Sequence, residues 1–351
     1  MKEILREHIK RYPHMQVTDA VKLLYQSEFG GGHMISNPAR SLMWIKNEAS
    51  MARLEPYDQV TPLLEEIGGG ICRISLDAIG EGLAPETLNQ MFVKTADRTV
   101  GTMENFEKKL NLLREMCAAG ETPFSMEDLE TYLSDYKAQG YPPVSHSAEY
   151  RTHYVPVYRV VATSYTRYYQ VFLEIDRAMA AAGDGQVIVA IDGMCGSGKS
   201  TLGRILEEIY DCNLFHMDDF FLRPEQRKPE RFAEPGGNVD YERFKEEILD
   251  HISDPDGFSY QVYNCGKQAL DSVVKVPYKK LNIIEGAYSE HPYFGDPYDL
   301  KFFCKISSEE QLARIMKRNG PEMLERFKQV WIPMENRYFE AFGVEEKSKI
   351  V

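Results

Sequence analysis

VIVAIDGMCGSGKSTLGRIL, residues 187–206, is the stretch whose reading decides the fold. Val187 to Ile191 form an apolar, β-branched run of the kind that makes a buried strand. Gly193, Gly198, Lys199 and Ser200 then satisfy G-x-x-x-x-G-K-[ST]. In such a loop the glycines let backbone N–H groups turn inward around phosphate oxygens. The lysine reaches the terminal phosphates and the hydroxyl meets a magnesium ion. The reading assigns phosphate binding to Gly193, Gly196, Ser197, Gly198, Lys199, Ser200 and Thr201, with a helix opening at Lys199 whose positive end adds to the attraction.

Working outward, the preceding residues mark a boundary. A helical pattern through Phe172, Ile175 and Met179 ends in alanines and Gly183-Asp184-Gly185, a turn signal. The expected domains are therefore 1–183 and 184–351. In the second, strands and helices alternate. Asn213 to Met217, Lys280 to Ile284 and Leu300 to Ile306 read as further strands, and helices begin at Asp240 and, after a Ser307–Glu310 cap, near 308. That alternation predicts an α/β fold, a parallel sheet covered on both faces, of the P-loop NTPase type.

Two strand ends carry acids. LNIIEGAYS delivers Glu285, and FHMDDFFL delivers Asp218 and Asp219, to the carboxyl edge of the sheet where ligands bind in open α/β folds. A carboxylate there can organise Mg²⁺, as expected of Glu285 together with Ser200, or take the proton from an attacking hydroxyl, as expected of Asp218. The loop between them holds Arg223, Arg227, Lys228 and Arg231, which suit an anionic acceptor or simply face water.

Taken in order, GMCGSGKST, MDDFF, NVDYERF, IIEGAY and RIMKRNG resemble the uridine kinase and phosphoribulokinase group of P-loop kinases over roughly residues 186–340. The resemblance implies ATP and Mg²⁺ as cofactors and a hydroxyl of a small metabolite as acceptor. It implies Asp218 as catalytic base beside Lys199, Asp240 on sugar hydroxyls and Tyr263 lining the acceptor site with Arg223. It makes Arg314 and Arg318 lid cations over the transferring group. The pattern departs from the family at QVYNCGKQ, where Asn264 stands for an acid, and in FLRPEQRKPERFAEPGGNVD, which has no nucleoside-base signature. Trp331, Tyr338 and Phe339 read as packing of the last helix more than as a stacking platform.

Over 351 residues the net charge is −13, which argues against a general binder of nucleic acid or anionic membrane. No run approaches the about 18 apolar residues of a membrane span. Six scattered cysteines without a CxxC pair suit free thiols in a reducing compartment, and the N-terminal segment has no signal-peptide core, so a cytoplasmic location is expected.

Residues 1–183 read as a separate helix-rich domain, α or α+β. Thr18, Asn37-Pro38, Pro85 and Ser125 with Asp128 are the expected helix starts. Two glycine triplets stand out in QSEFGGGHMI and IGGGICRISL, the second before a strand-like run. HSAEYRTHYVPVYRV places His146, Glu149 and His153 at helical spacing. One reading joins them to His33, and to Glu28, as a zinc or iron site. A second makes the glycine turns an anion pocket charged by Arg151 and Arg159. A third is purely structural. The residues leave open whether this half catalyses a second reaction, senses nucleotide hydrolysis as part of a switch, or forms a homodimer.

Overall fold

The computed structural model describes residues 1–52 and 61–351. Two compact units divide the chain, Met1–Tyr169 and Gln170–Val351. The helix Tyr169–Ala182 thus belongs almost wholly to the second unit, where Tyr210 donates its hydroxyl proton to Asp176 at 2.9 Å.

The first unit is α+β. Its helices surround a three-stranded antiparallel sheet, β1 (Leu64–Gly68), β2 (Ile71–Ser75) and β3 (Tyr158–Ala162), in that order. The second glycine triplet is the tight β1–β2 turn. Gly69 has φ +64°, and a Cβ there would lie 2.0 Å from the carbonyl oxygen of Ser27, so the glycine is required by close packing on the end of a helix. Phe106, Leu110 and Leu113, spaced four and three apart on one helix, are buried with Val21, Leu24, Leu129 and Leu133. Pro85 opens its helix and Ser125 with Asp128 forms its capping box, as expected. Thr18 does not cap. The helix Val17–Phe29 starts two residues earlier than a Thr18 cap would set it, because Asp19 accepts the Gln16 N–H at 3.0 Å and makes Gln16 the cap.

In the second unit the parallel sheet has the order β10-β9-β4-β8-β5. Its strands are β4 (Val187–Gly193), β5 (Cys212–His216), β8 (Leu281–Glu285), β9 (Leu300–Cys304) and the two-residue β10 (Lys349–Ile350). β4, the apolar run of the opening stretch, is the central strand, and the phosphate loop follows it directly. This is the P-loop NTPase arrangement. β6 (Phe258–Asn264) and β7 (Ala269–Val276) form a separate antiparallel hairpin. The register sets Ile191 and His216 opposite Glu285 and Gly193 opposite Cys304, so the carboxyl ends of β4, β5 and β8 lie level. Among the described residues no helix is long and apolar enough to cross a membrane, and all six cysteines are free.

Candidate active site

Gly193 ends β4 with φ +133°, and a Cβ there would lie 2.3 Å from the carbonyl oxygen of Cys304. Only glycine lets the chain leave the sheet this close to β9. Gly198 is left-handed and caps the helix Lys199–Ile209. Lys199 curls back, donating to the carbonyl oxygens of Gly193 at 2.7 Å and Met194 at 2.9 Å. Its charge is held under the loop, where phosphate oxygens would meet it.

Side chains from far along the chain grip this loop. Arg314, on the helix Ser308–Arg326, donates to the carbonyl oxygens of Gly196 and Ser197 at 3.1 and 3.0 Å. Gln311, one turn earlier, donates to the Cys195 carbonyl at 3.0 Å. Glu335, on the helix Ile332–Phe342, accepts the Cys195 N–H at 2.9 Å. Asp192 accepts the Gly193 N–H at 2.7 Å and the Tyr338 hydroxyl at 2.9 Å. Arg318 is placed differently from Arg314. Its Nε donates to the Asn319 side chain at 2.7 Å, just before the chain breaks helical geometry at Gly320 with φ +80°.

The acids gather at the strand ends. Ser200 donates to Glu285 Oε2 at 3.2 Å, and His216 Nδ1 lies 2.5 Å from Glu285 Oε1. That hydrogen bond raises the His216 pKa against the effect of burial. Asp218 and Asp219 sit on the single 3₁₀ turn Met217–Phe220 that follows β5. Burial raises the Asp218 pKa, the Glu285 charge raises it further, and Lys199 pulls it back. Asp218, Glu285 and Lys199 therefore share one electrostatic neighbourhood. Asp219 is turned aside, its carboxylate accepting the Tyr260 hydroxyl at 3.1 Å. A hydroxyl on one element and a carboxylate on the next are hard oxygen donors of the kind Mg²⁺ selects, so Ser200 and Glu285 fit that ion.

On the adjacent side, Asp240 is buried and caps the short helix Tyr241–Phe244, its Oδ1 accepting the Arg243 N–H at 3.3 Å. Its Oδ2 has no hydrogen-bond partner, though Arg223 Nε stands 3.6 Å and Arg243 Nε 3.7 Å away. The Tyr263 hydroxyl accepts from Arg227 at 2.7 Å. Arg231 is consumed internally, paired twice with Glu242 at 2.6 Å. Tyr338 and Phe339 are buried, as expected of a packing role, while Trp331 is half-buried and packs edge-on to Phe327 one turn earlier.

His216, Gln311, Glu335 and Asp192 were not among the residues expected from sequence. His216 becomes visible once β5 is paired with β8, since that register sets it against Glu285. Asp192 lies inside the quoted stretch, one residue before the loop.

The expected metal set of the first unit does not assemble. His146 precedes the helix Ala148–Tyr154, whose cap is Ser147, and so does not share the face of Glu149 and His153. It is buried, with Nδ1 2.8 Å from Asp19 and Nε2 2.7 Å from the Tyr158 hydroxyl. Burial pushes its pKa down to about 4 against the pull of Asp19. His33 lies on the 3₁₀ turn Gly32–Met34, its ring edge-on to Tyr25. Glu28 is paired with Lys109 at 2.9 Å. The anion pocket fails on its charges. Arg159 pairs with Glu48 at 2.8 Å and Arg151 is exposed on its helix, while the cavity of about 310 Å³ beside Gly69 is lined by Ser27, Glu28, Thr95, Arg98 and Thr99.

With this geometry in view, known proteins give the following likenesses. No protein-family model matches the chain, and no curated protein does. Among solved structures, a possible uridine kinase from Bacillus stearothermophilus is similar at 17% identity and TM-score 0.39, over 52% of this chain and 98% of its own. A candidate fructose transport system kinase from Silicibacter sp. TM1040 is similar at 20% identity and TM-score 0.40, over 48% and 91%. The YGR205w protein is similar at 15% identity and TM-score 0.34, over 51% and 85%.

Proposed function

We propose that the second unit is a cytoplasmic kinase that transfers the γ-phosphoryl group of ATP to a hydroxyl of a small metabolite. The observation that carries this reading is the placement of two acids, Asp218 and Glu285, at the level ends of neighbouring strands beside the phosphate loop, with Glu285 bonded to Ser200. Phosphoryl transfer needs little covalent help from a protein. It needs alignment and stabilisation of charge on the moving oxygens. Lys199 and the loop N–H groups supply fixed positive charge at the phosphates. Mg²⁺ held by Ser200 and Glu285 would neutralise further charge there. Arg314 is already seated on the loop beside them.

Asp218 acts as the base. Its raised pKa makes it a stronger proton acceptor than an ordinary aspartate. An acceptor approaching from the Arg223 side meets Asp240, whose Oδ2 is buried and unbonded and so is ready to accept from a hydroxyl. That feature favours a kinase over a nucleotide-hydrolysing switch, which needs no second substrate pocket. Arg223 borders the same place.

The test is a metabolite screen with γ-labelled ATP and the full-length protein, sugars, sugar phosphates, nucleosides and hydroxy acids being included. Label appearing in one class of metabolite supports the reading. ATP hydrolysis that releases only inorganic phosphate with every class overturns it in favour of the switch.

A further inference from the structure

His14, Glu149 and His153 bring three metal-ligating atoms to one place on the surface of the first unit. Among the described residues theirs are the ligand atoms that converge within 4.8 Å of one another. Glu149 and His153 lie four apart on the helix Ala148–Tyr154 and so share a face. His153 Nε2 is 2.9 Å and His14 Nδ1 is 3.7 Å from the same carboxylate oxygen, Glu149 Oε1. The two imidazoles stack with centroids 3.7 Å apart and planes 5° from parallel, so one exposed ring must turn out of the stack for both in-plane lone pairs to meet one ion. Donor atoms held 2.0–2.2 Å from a tetrahedral ion are separated by roughly 3.3–3.6 Å. The observed separations of 2.9 and 3.7 Å bracket that value.

We propose that His14, Glu149 and His153 form a binding site for a divalent transition-metal ion, zinc foremost. Two imidazoles and one carboxylate select zinc, copper or nickel over Mg²⁺ and Ca²⁺, which take oxygen donors. Three protein ligands leave a fourth position, and the side chains are 49%, 53% and 39% exposed, so that position opens to water. The frame behind the donors is built. The His14 backbone N–H donates to the Tyr154 hydroxyl at 3.0 Å, which ties the turn after the first helix to the helix that carries the other two ligands. Tyr154 is buried edge-on to Tyr12 and Tyr150, and Ser147 caps that helix through the Tyr150 N–H. The site is independent of the kinase reading.

The test uses chelator-treated full-length protein, titrated with Zn²⁺ by calorimetry and with Co²⁺ by its visible absorption. The same titration of a His216→Ala variant separates any ion held by His216 and Glu285. The expected result is one equivalent of Zn²⁺ retained in His216→Ala and weakened at least tenfold in His14→Ala and in His153→Ala, with a metal-dependent rise in Tm that both histidine variants lose. Because the three side chains are exposed, the metal-free variants should melt with the parent, and His153→Gln serves as a second variant if the alanine form does not. Absence of stoichiometric binding, or binding that only His216→Ala removes, overturns the proposal.

Discussion

Glu335 accepts the backbone N–H of Cys195 at 2.9 Å, placing a buried carboxylate directly against the phosphate loop. An acid beneath a site for phosphate works against charge, and burial raises its pKa while Lys199 and the Cys195 N–H pull it back. Its value is positional. The bond fixes the third residue of the loop while Gln311 fixes the same residue's carbonyl. Glu335→Ala leaves the Cys195 N–H buried and unpaired, a loss of about 1–3 kcal/mol. The KM for ATP should rise by about tenfold or more. Glu335→Gln keeps an acceptor and should stay within about threefold of the parent, since only the charge is changed. Equal defects in the two variants would argue for a role of the charge itself.

Asp218→Asn should keep ATP binding, measured by fluorescence or calorimetry, and lower kcat by about 10² to 10⁴, the usual worth of a positioned base. Its pKa is raised above the ordinary 3.8, chiefly by burial and then by Glu285. A base must be ionised, so activity falls as pH drops through that raised value. The acid limb of kcat should start higher than an exposed aspartate would give, and Glu285→Gln should move it down. Undiminished turnover in Asp218→Asn sinks the assignment.

The phosphate loop and the alternating strands were legible because each rests on local pattern: β-branched runs, glycines where the backbone turns sharply, and acids just past strand ends. What was not legible depends on pairing at a distance. Glu335 and Gln311 reach Cys195 from more than a hundred residues away, and nothing local in their helices marks them. In the first unit, β2 pairs with β3 across a long insertion of helices, so its sheet was read only as one strand-like run. Spacing alone puts His146 on a helix face with Glu149 and His153. The Ser147 cap starts that helix at Ala148, two residues past His146, and Asp19 draws the ring inward. His14 sits in a turn between helices, where periodicity carries no information about neighbours.

Glu65 and Arg73 form a buried ion pair at 3.2 Å on neighbouring strands, with the Tyr12 hydroxyl also donating to Glu65 at 2.7 Å. Burial alone would raise the Glu65 pKa, but the His8 contact and the Arg73 charge hold it far below the ordinary 4.5. The folded-state value is depressed, so the stabilisation is present above about 4.5 and is lost as pH falls below it. Glu65→Gln strands the Arg73 charge and should cost about 3–5 kcal/mol in urea unfolding of the first unit. The variant should also lose part of the parent's acid sensitivity. A change under about 1 kcal/mol would mean that Gln26, which accepts from Arg73 at 2.8 Å, suffices alone.

Glu290 carries the opposite sign. Burial, and then the charge of Asp192, push its pKa up to about 8 from 4.5, while the Ser348 hydroxyl donates to both its oxygens and moderates the rise. The Glu290 backbone N–H donates to Asp192, so the two acids are held side by side under the phosphate loop. Between pH 4.5 and 8 the folded chain holds a proton that the unfolded chain has released. Stability therefore falls as pH rises through that window, the reverse of the Glu65 contribution. Glu290→Gln imitates the protonated acid and can still accept from Ser348. It should flatten the decline in Tm of the second unit between pH 5 and 8 and exceed the parent's Tm at the upper end (roughly neutral at the lower). A parent Tm that is flat over this window, or a variant that follows it point for point, would show that Glu290 keeps an ordinary carboxylate's affinity for its proton.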